Sequence, residues 1–285
     1  MENPGFFADA HASFSEARYV IFGVPFDATS TFRKGAALAP QEIRKASWNF
    51  ETFNLKTGMD LQDFMIHDAG DIGIKGCSQQ ELHTKISTLT SKVIDNRKFP
   101  LILGGEHSIT SSIIHAFPQD IAVVALDAHL DFRQEYEGDP WNHACVLRRV
   151  SDSIPASSIA VLGVRSADKQ EYIDAREQNV FIQDAFAIHD KGWPSILHAT
   201  KKYVGMKPVY LTIDIDVLDP CYAPGTSTPE PFGITPFDVI ECIEEFAPQL
   251  VGCDIVEVCP PYDHGQTALL AARLLRWVID ATSRS

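Results

Sequence analysis

Residues 121–131 read IAVVALDAHLD, and residues 209–219 read VYLTIDIDVLD. In the first stretch six apolar residues run unbroken into Asp127, His129 and Asp131, spaced i, i+2 and i+4. In the second, Val209, Leu211, Ile213, Ile215 and Val217 fall on one face of an extended chain, and Asp214 and Asp216 share the other. Near-continuous apolar runs of this length are the pattern of strands buried on both faces of a parallel sheet. Similar runs recur at 19–24, 101–103, 159–164 and 250–258. Segments with helical spacing lie between them at 40–47, 81–95, 109–115, 235–246 and 267–281. In 235–246, Thr235 supplies a cap, Pro236 suits the first helical position and Asp238 completes a capping box. Strands alternating with helices predict an α/β fold with a mostly parallel sheet. In open sheets of that kind ligands sit outside the carboxyl ends of the strands, so chemistry belongs in the polar cluster that follows each run.

Carboxylates placed at the end of so apolar a strand are expensive unless something cationic offsets them. Neither stretch contains Lys or Arg; the next cations are Arg133, Arg148 and Arg149. A third cluster, LILGGEHS at 101–108, sets His107 just past another apolar run, with Gly104 and Gly105 permitting a tight turn. Singly, an Asp after a strand ordinarily opens a turn, as Asp219-Pro220 does, and a lone His ordinarily begins a helix. The even spacing in two strand tails, with a third cluster placed alike, points instead to a shared site. His107, Asp127, His129, Asp131, Asp214 and Asp216 give four carboxylates and two imidazoles, more than one tetrahedral zinc needs. Oxygen-rich donors with imidazole and no thiolate suit Mn²⁺ ahead of Mg²⁺, Co²⁺ or Fe²⁺. Four carboxylates, some bridging, fit two divalent ions about 3.5–4 Å apart, an arrangement that makes a water nucleophile near neutral pH and so indicates a hydrolase.

Composition narrows the partners. The chain has 285 residues, 45% apolar and 22% charged, which excludes disorder as the main state. Its 24 basic and 38 acidic residues give a formal charge of −14, so there is no basic footprint for nucleic acid. The acidic balance fits a cationic substrate or a metal. No run is long enough for a membrane span. The N-terminal MENPGFFADAHASF has neither a basic nor an apolar leader region, the six cysteines form no CxxC and no glycosylation sequon occurs, so a reducing cytoplasm is expected.

GGEHS (104–108), DAHLD (127–131) and DIDVLDP (214–220), in this order, resemble the ureohydrolase family of arginases and agmatinases, agmatinases above all. The likeness runs from GVPFDATSTFRKGAALAPQEIR (23–44) to EVCPPYDHGQTALLAA (257–272). It implies an arginase-like three-layer α/β/α fold, a single catalytic domain over 1–285, and two Mn²⁺ per subunit. His107, Asp127, Asp131 and Asp214 would surround one ion, and Asp127, His129, Asp214 and Asp216 the other, with Asp127 and Asp214 bridging. His143, in WNHACVLRR, corresponds to a histidine that handles protons for the leaving amine, a task shared with Asp131. Glu257, in DIVEVCP, corresponds to the glutamate that pairs with the substrate guanidinium. Thr226 and Thr228, in GTSTPEPFG, are candidates for substrate or solvent contacts. Two positions depart from the family pattern: Glu106 stands where Asp is commoner, and Ser227 where Gly is usual. The family also implies a homo-oligomer, a trimer or hexamer.

The implied reaction cleaves a guanidino group to urea and an amine. The loop RQEYEGDPWN (133–142) carries Glu135, Glu137 and Asp139 against one Arg, an acidic rim that favours a free ammonium over a carboxylate. Agmatine, giving putrescine for polyamine synthesis, is therefore the expected substrate. Arginine, guanidinobutyrate, guanidinopropionate and formiminoglutamate are the alternatives, the acids among them calling on Arg133 or Arg148. A metal-dependent amide deacetylase and a non-catalytic metal-binding subunit are further readings. GGEHS with EVCP weighs against the first, and the complete ligand set with His143 against the second.

Overall fold

All six apolar runs form strands, and two polar segments add two more. In the computed structural model, which describes residues 5–285, the strands are β1 (Tyr19–Val24), β2 (Ile66–Asp71), β3 (Phe99–Gly104), β4 (Ala122–Leu126), β5 (Ile159–Val164), β6 (Phe181–Asp184), β7 (Val209–Asp214) and β8 (Leu250–Val256). Residues 1–4, the start of the stretch read above for a leader, lie outside the described residues. The strands make one parallel sheet in the order β2-β1-β3-β8-β7-β4-β5-β6.

Nine helices follow in chain order among the described residues: α1 (Ala39–Ser47), α2 (Gln79–Asp95), α3 (Ile109–Ile114), α4 (Val146–Val150), α5 (Lys169–Glu177), α6 (Ala185–Lys191), α7 (Trp193–Val204), α8 (Pro236–Phe246) and α9 (Gln266–Ser283). Strand residues alternate between two apolar layers. Val209, Leu211 and Ile213 pack with Ile43 of α1, Leu197 of α7, Ile243 of α8 and Val278 of α9. Val20, Phe22 and Tyr210 pack on the other face with Ile86 of α2, Ile113 of α3 and Leu147 of α4. This is the three-layer α/β/α arrangement expected, with helices covering both faces of the sheet. The capping box of α8 forms as read, Thr235 accepting from the Asp238 amide and the Asp238 side chain from the Thr235 amide. All six cysteines are free. No helix among the described residues is long and apolar enough to cross a membrane.

The edge strand β2 is held partly by charge. Arg44 of α1, almost wholly buried, donates from Nε to Asp68 Oδ2 at 2.7 Å, from Nη2 to Asp68 Oδ1 at 2.9 Å and from Nη1 to Asp71 Oδ1 at 2.5 Å. Removing one partner of a buried pair strands the other charge. Arg44→Ala is therefore expected to cost about 3–5 kcal/mol of stability by denaturant titration. A loss below about 1 kcal/mol would show that β2 does not depend on this fork.

Candidate functional site

The four central strands, adjacent in the order β3, β8, β7, β4, point the same way, so their carboxyl ends share one sheet edge. Each is followed by a polar residue singled out in the sequence: His107 after β3, Glu257 after β8, Asp214 and Asp216 at and after β7, and Asp127, His129 and Asp131 after β4. β3 and β4, consecutive in the chain, flank β8 and β7, so the strand order reverses here, and such switch points are where sheets of this kind bind ligands.

The tails are not plain extensions of the strands. β7 stops at Asp214, and Ile215–Val217 turn as a 3-10 helix with Asp214 accepting from the Asp216 amide at 2.9 Å. β4 stops at Leu126; Asp127 then accepts from the His129 amide at 2.6 Å, and Asp216 accepts from the Ala128 amide at 3.1 Å. The carboxylates satisfy backbone donors that the sheet no longer pairs. That bends the chain, and the pleat's two-residue repeat does not by itself make the side chains converge. Asp131 and Glu257 have φ of 49° and 61°, left-handed values that cost a non-glycine residue energy and cluster at functional sites. Glu257 is held there by its amide, which donates to Gly105 O at 2.8 Å, and by its Oε1, which accepts from the His107 amide at 2.6 Å. Position 105 must be glycine, because a Cβ there would sit 1.9 Å from the Phe26 carbonyl oxygen.

All six residues of the proposed ligand set come together. His107 Nδ1 lies 3.0 Å from Asp127 Oδ2, 3.3 Å from Asp131 Oδ2 and 3.4 Å from Asp214 Oδ2. His129 Nδ1 lies 3.0 Å from Asp216 Oδ2 and 3.8 Å from Asp127 Oδ1. Two groups have donor atoms close enough to hold an ion, His107–Asp127–Asp214 and Asp127–His129–Asp216, and Asp127 is common to both. Asp131 stands beside the first group against His107, and Asp214 touches the second through the Asp216 amide.

The electrostatics show a site short of positive charge. Burial raises the Asp127 carboxyl to about 7, with Asp131 adding to it, and burial with Asp216 and Asp127 nearby puts Asp214 well above the carboxylate range. Burial opposes protonation of His129, but Asp216, Asp127 and Asp131 outweigh it and lift the imidazole to about 10. Burial likewise disfavours Asp216 ionising, and the facing His129 still brings it down to about 2. Divalent ions fit these donors on independent structural grounds. Thr212 gives its one hydroxyl proton to Asp254 Oδ1 at 2.5 Å, so at 3.0 Å it accepts from His107 Nε2. Once Nδ1 gives up its proton to metal binding, the ring, still donating from Nε2, turns the Nδ1 lone pair on the three carboxylate oxygens. Both Nδ1 and Asp127 Oδ2 are buried with no hydrogen bond.

A cleft opens over this edge, lined by His129, Asp131, His143, Asp214, Thr228 and Glu257 from the predicted set and by Arg133 and Glu171 beyond it. Thr228 donates to Asp216 Oδ2 at 3.2 Å. Thr226 is fully buried, bridges to Val258 and does not line the cleft. Burial raises the Glu257 carboxyl, which His143 partly counters. Glu135 and Glu137 are exposed, and with Asp139 they lie outside the lining; Arg133, from the same loop, is in the wall with Nε 3.6 Å from Glu171 Oε2. Arg148 instead bonds Gln134 and Gln178.

Several contributors went unread in the sequence. Arg165, past β5, donates to the carbonyls of Asp216 at 2.6 Å and Glu230 at 2.8 Å, fastening the segment that carries Asp216. Thr212 and Asp254 point off the strand faces into the buried end of the site, and inside apolar runs they carry no pattern of their own. Thr29 contacts His143 from the loop after β1, and nothing in the spacing of DATSTF sets it apart. The departure at Glu106 does not displace His107 from the cluster, because the longer side chain bonds Thr29 and Ser108.

Comparison with known proteins agrees with this geometry. The sequence pattern of the arginase family matches residues 17–279. An agmatinase of Bacillus cereus is 37% identical over 279 residues, 95% of this chain and 93% of that protein. The N(1)-aminopropylagmatine ureohydrolase of Thermococcus kodakarensis is 36% identical over 273 residues, 94% of this chain and 92% of that one. The crystal structure of the agmatine ureohydrolase of Thermoplasma volcanium superposes with a TM-score of 0.93 at 38% identity, covering 98% of this chain and 94% of that one.

Proposed function

The chain belongs to the arginase family, and we propose that it is an agmatinase, hydrolysing the guanidinium of agmatine to putrescine and urea with two Mn²⁺ ions. The observation that carries this reading is the pair of donor groups sharing Asp127 beneath a cleft that also holds Glu257 and His143. His107, Asp127, Asp131 and Asp214 would hold one ion and Asp127, His129, Asp214 and Asp216 the other. When bound, the ions supply an activated water and offset the buried carboxylates. Manganese is favoured by the donor chemistry, four carboxylates and two imidazoles without a thiolate.

The remaining work falls to the chain. One oxygen of Glu257 is fixed by the His107 amide, leaving the other to accept from the planar guanidinium and set its carbon over the ligand cluster. A carboxylate held against burial gains most from a cation, which selects a charged guanidinium over a neutral amide. After water adds to that carbon, the C–N bond to the substrate's alkyl arm breaks, and His143, with Asp131 sharing the task from the same cleft wall, returns a proton to the departing amine. Water plus the guanidinium cation thus gives urea and an ammonium.

Arg133 in the cleft wall favours a second reading, hydrolysis of a guanidino acid whose carboxylate it would meet. Its charge is already opposed by Glu171, so the amine substrate is preferred. The manganese-loaded chain is expected to release urea from agmatine faster than from arginine or guanidinobutyrate. A higher kcat/KM on either acid would reverse the assignment, and release of urea from none of the three would remove it.

A further inference from the structure

We propose that Thr29 and Glu106 are positioning residues that fix the protonation geometry of His143: they place the proton of the neutral ring on Nδ1 and leave Nε2 as the nitrogen that exchanges protons with the reacting group. The inference rests on the reading of His143 as the acid-base residue. It starts from counting protons. A threonine hydroxyl has one proton and two lone pairs, and a carboxylate only accepts. Glu106 is fully buried; its Oε1 accepts from Thr29 Oγ1 at 2.7 Å and Ser108 Oγ at 2.6 Å, and its Oε2 from the Thr29 amide at 2.7 Å. The single Thr29 proton is therefore spent on Glu106. Two nitrogens of His143 approach the same hydroxyl oxygen, the backbone amide at 3.0 Å and ring Nδ1 at 3.1 Å. The amide can only donate. Nδ1 meets an oxygen with no proton left to give, so it donates too.

Which ring nitrogen carries the proton is set by the bond the other one makes. Without Thr29 the neutral imidazole is free to exchange tautomers and to rotate, and only part of the population then has its lone pair where proton transfer needs it. Asn142 Nδ2 also reaches the Thr29 carbonyl at 3.5 Å, so the loops after β1 and β4 meet at this one residue.

The tautomer is read directly by long-range ¹H–¹⁵N correlation in the full-length, manganese-free and zinc- or magnesium-loaded chain labelled at histidine. The expected result is an Nδ1–H, Nε2-unprotonated His143, changing to a mixture in Thr29→Val and preserved in Thr29→Ser. In manganese-loaded enzyme Thr29→Val is expected to lower kcat about 10- to 100-fold, part of the roughly 10²–10⁴-fold that general acid-base catalysis supplies. KM should stay within about twofold and the acid limb of the kcat–pH profile should move, with Thr29→Ser restoring both. An Nε2–H ring in the unmutated protein overturns the proposal whatever the variants do. His143→Asn separates the two readings. If it leaves kcat intact, the acid-base assignment of His143 is wrong. If it abolishes turnover while Thr29→Val keeps the original tautomer and pH profile, only the positioning proposal fails.

Discussion

Alanine at position 127 is expected to abolish paired metal binding and urea release together. Asp127 is the one residue found in both donor groups, its Oδ2 facing His107 and its Oδ1 on the His129 side. Its removal takes a charged donor from each group and frees the His129 amide, which sets the bend after β4. If pairing the ions supplies several kcal/mol of the rate, at about 1.4 kcal/mol per decade the loss is on the order of 10³-fold or more. Metal analysis of the purified variant should find fewer than two tightly held ions. Asp216→Ala makes the contrast, since it touches only the second group and should spare the first. Two ions retained in Asp127→Ala would rule out the shared-ligand arrangement.

The second large effect is on pH. Loading the metal-free chain at pH 7 should release at least two protons, one from each imidazole. His129 keeps its proton to about 10 and His107 is raised well above its ordinary value, in each case because facing carboxylates outweigh burial. An imidazole must give up that proton before its lone pair reaches a metal. The sign follows: with the His129 proton held to about 10 and the His107 proton held above its ordinary range, ion and proton compete, and affinity tightens as pH rises. Each displaced proton contributes about tenfold per pH unit. Asp127 at about 7 and Asp214, raised well above the carboxylate range, add to the release. Calorimetric titration in two buffers of different ionisation enthalpy counts the protons. A heat independent of buffer, with affinity flat between pH 6 and 8, would show that these imidazoles do not bind the ions.

The unequal legibility of the chain has a physical cause. Strands in the middle of the sheet are covered on both faces, so IAVVAL and VYLTID had to be apolar and could be read. The two strands without an apolar run, IHDAGD of β2 and FIQD of β6, are the sheet's two edges. An edge strand is half covered and can carry charge, as Asp68 and Asp71 do toward Arg44, so its pattern sinks into that of a loop. The metal-ligand candidates were legible because several acids and imidazoles at even spacing are improbable in such apolar surroundings. Their convergence was foreseen as an extension of the strand pleat, whereas backbone-to-carboxylate bonds and a 3-10 turn achieve it. Thr29, Thr212, Arg165 and Asp254 were illegible for a different reason: each acts through partners far along the chain, and no local spacing announces such pairings.

The position of β8 bears on how the sheet holds together. β8, last in chain order of the eight strands among the described residues, sits in the middle of the sheet, between β3 and β7. Without β8, no strand pairing joins β2-β1-β3 to β7-β4-β5-β6, and β3 and β7 each lack a neighbour on their inner side. Neither half can seat both His107 and Asp127 until residues 250–256 zip them together. Unpaired edges of this kind invite intermolecular pairing, so a chain lacking β8 is prone to aggregate. Truncation ahead of β8 should yield aggregates that capture no metal, not a weakened enzyme.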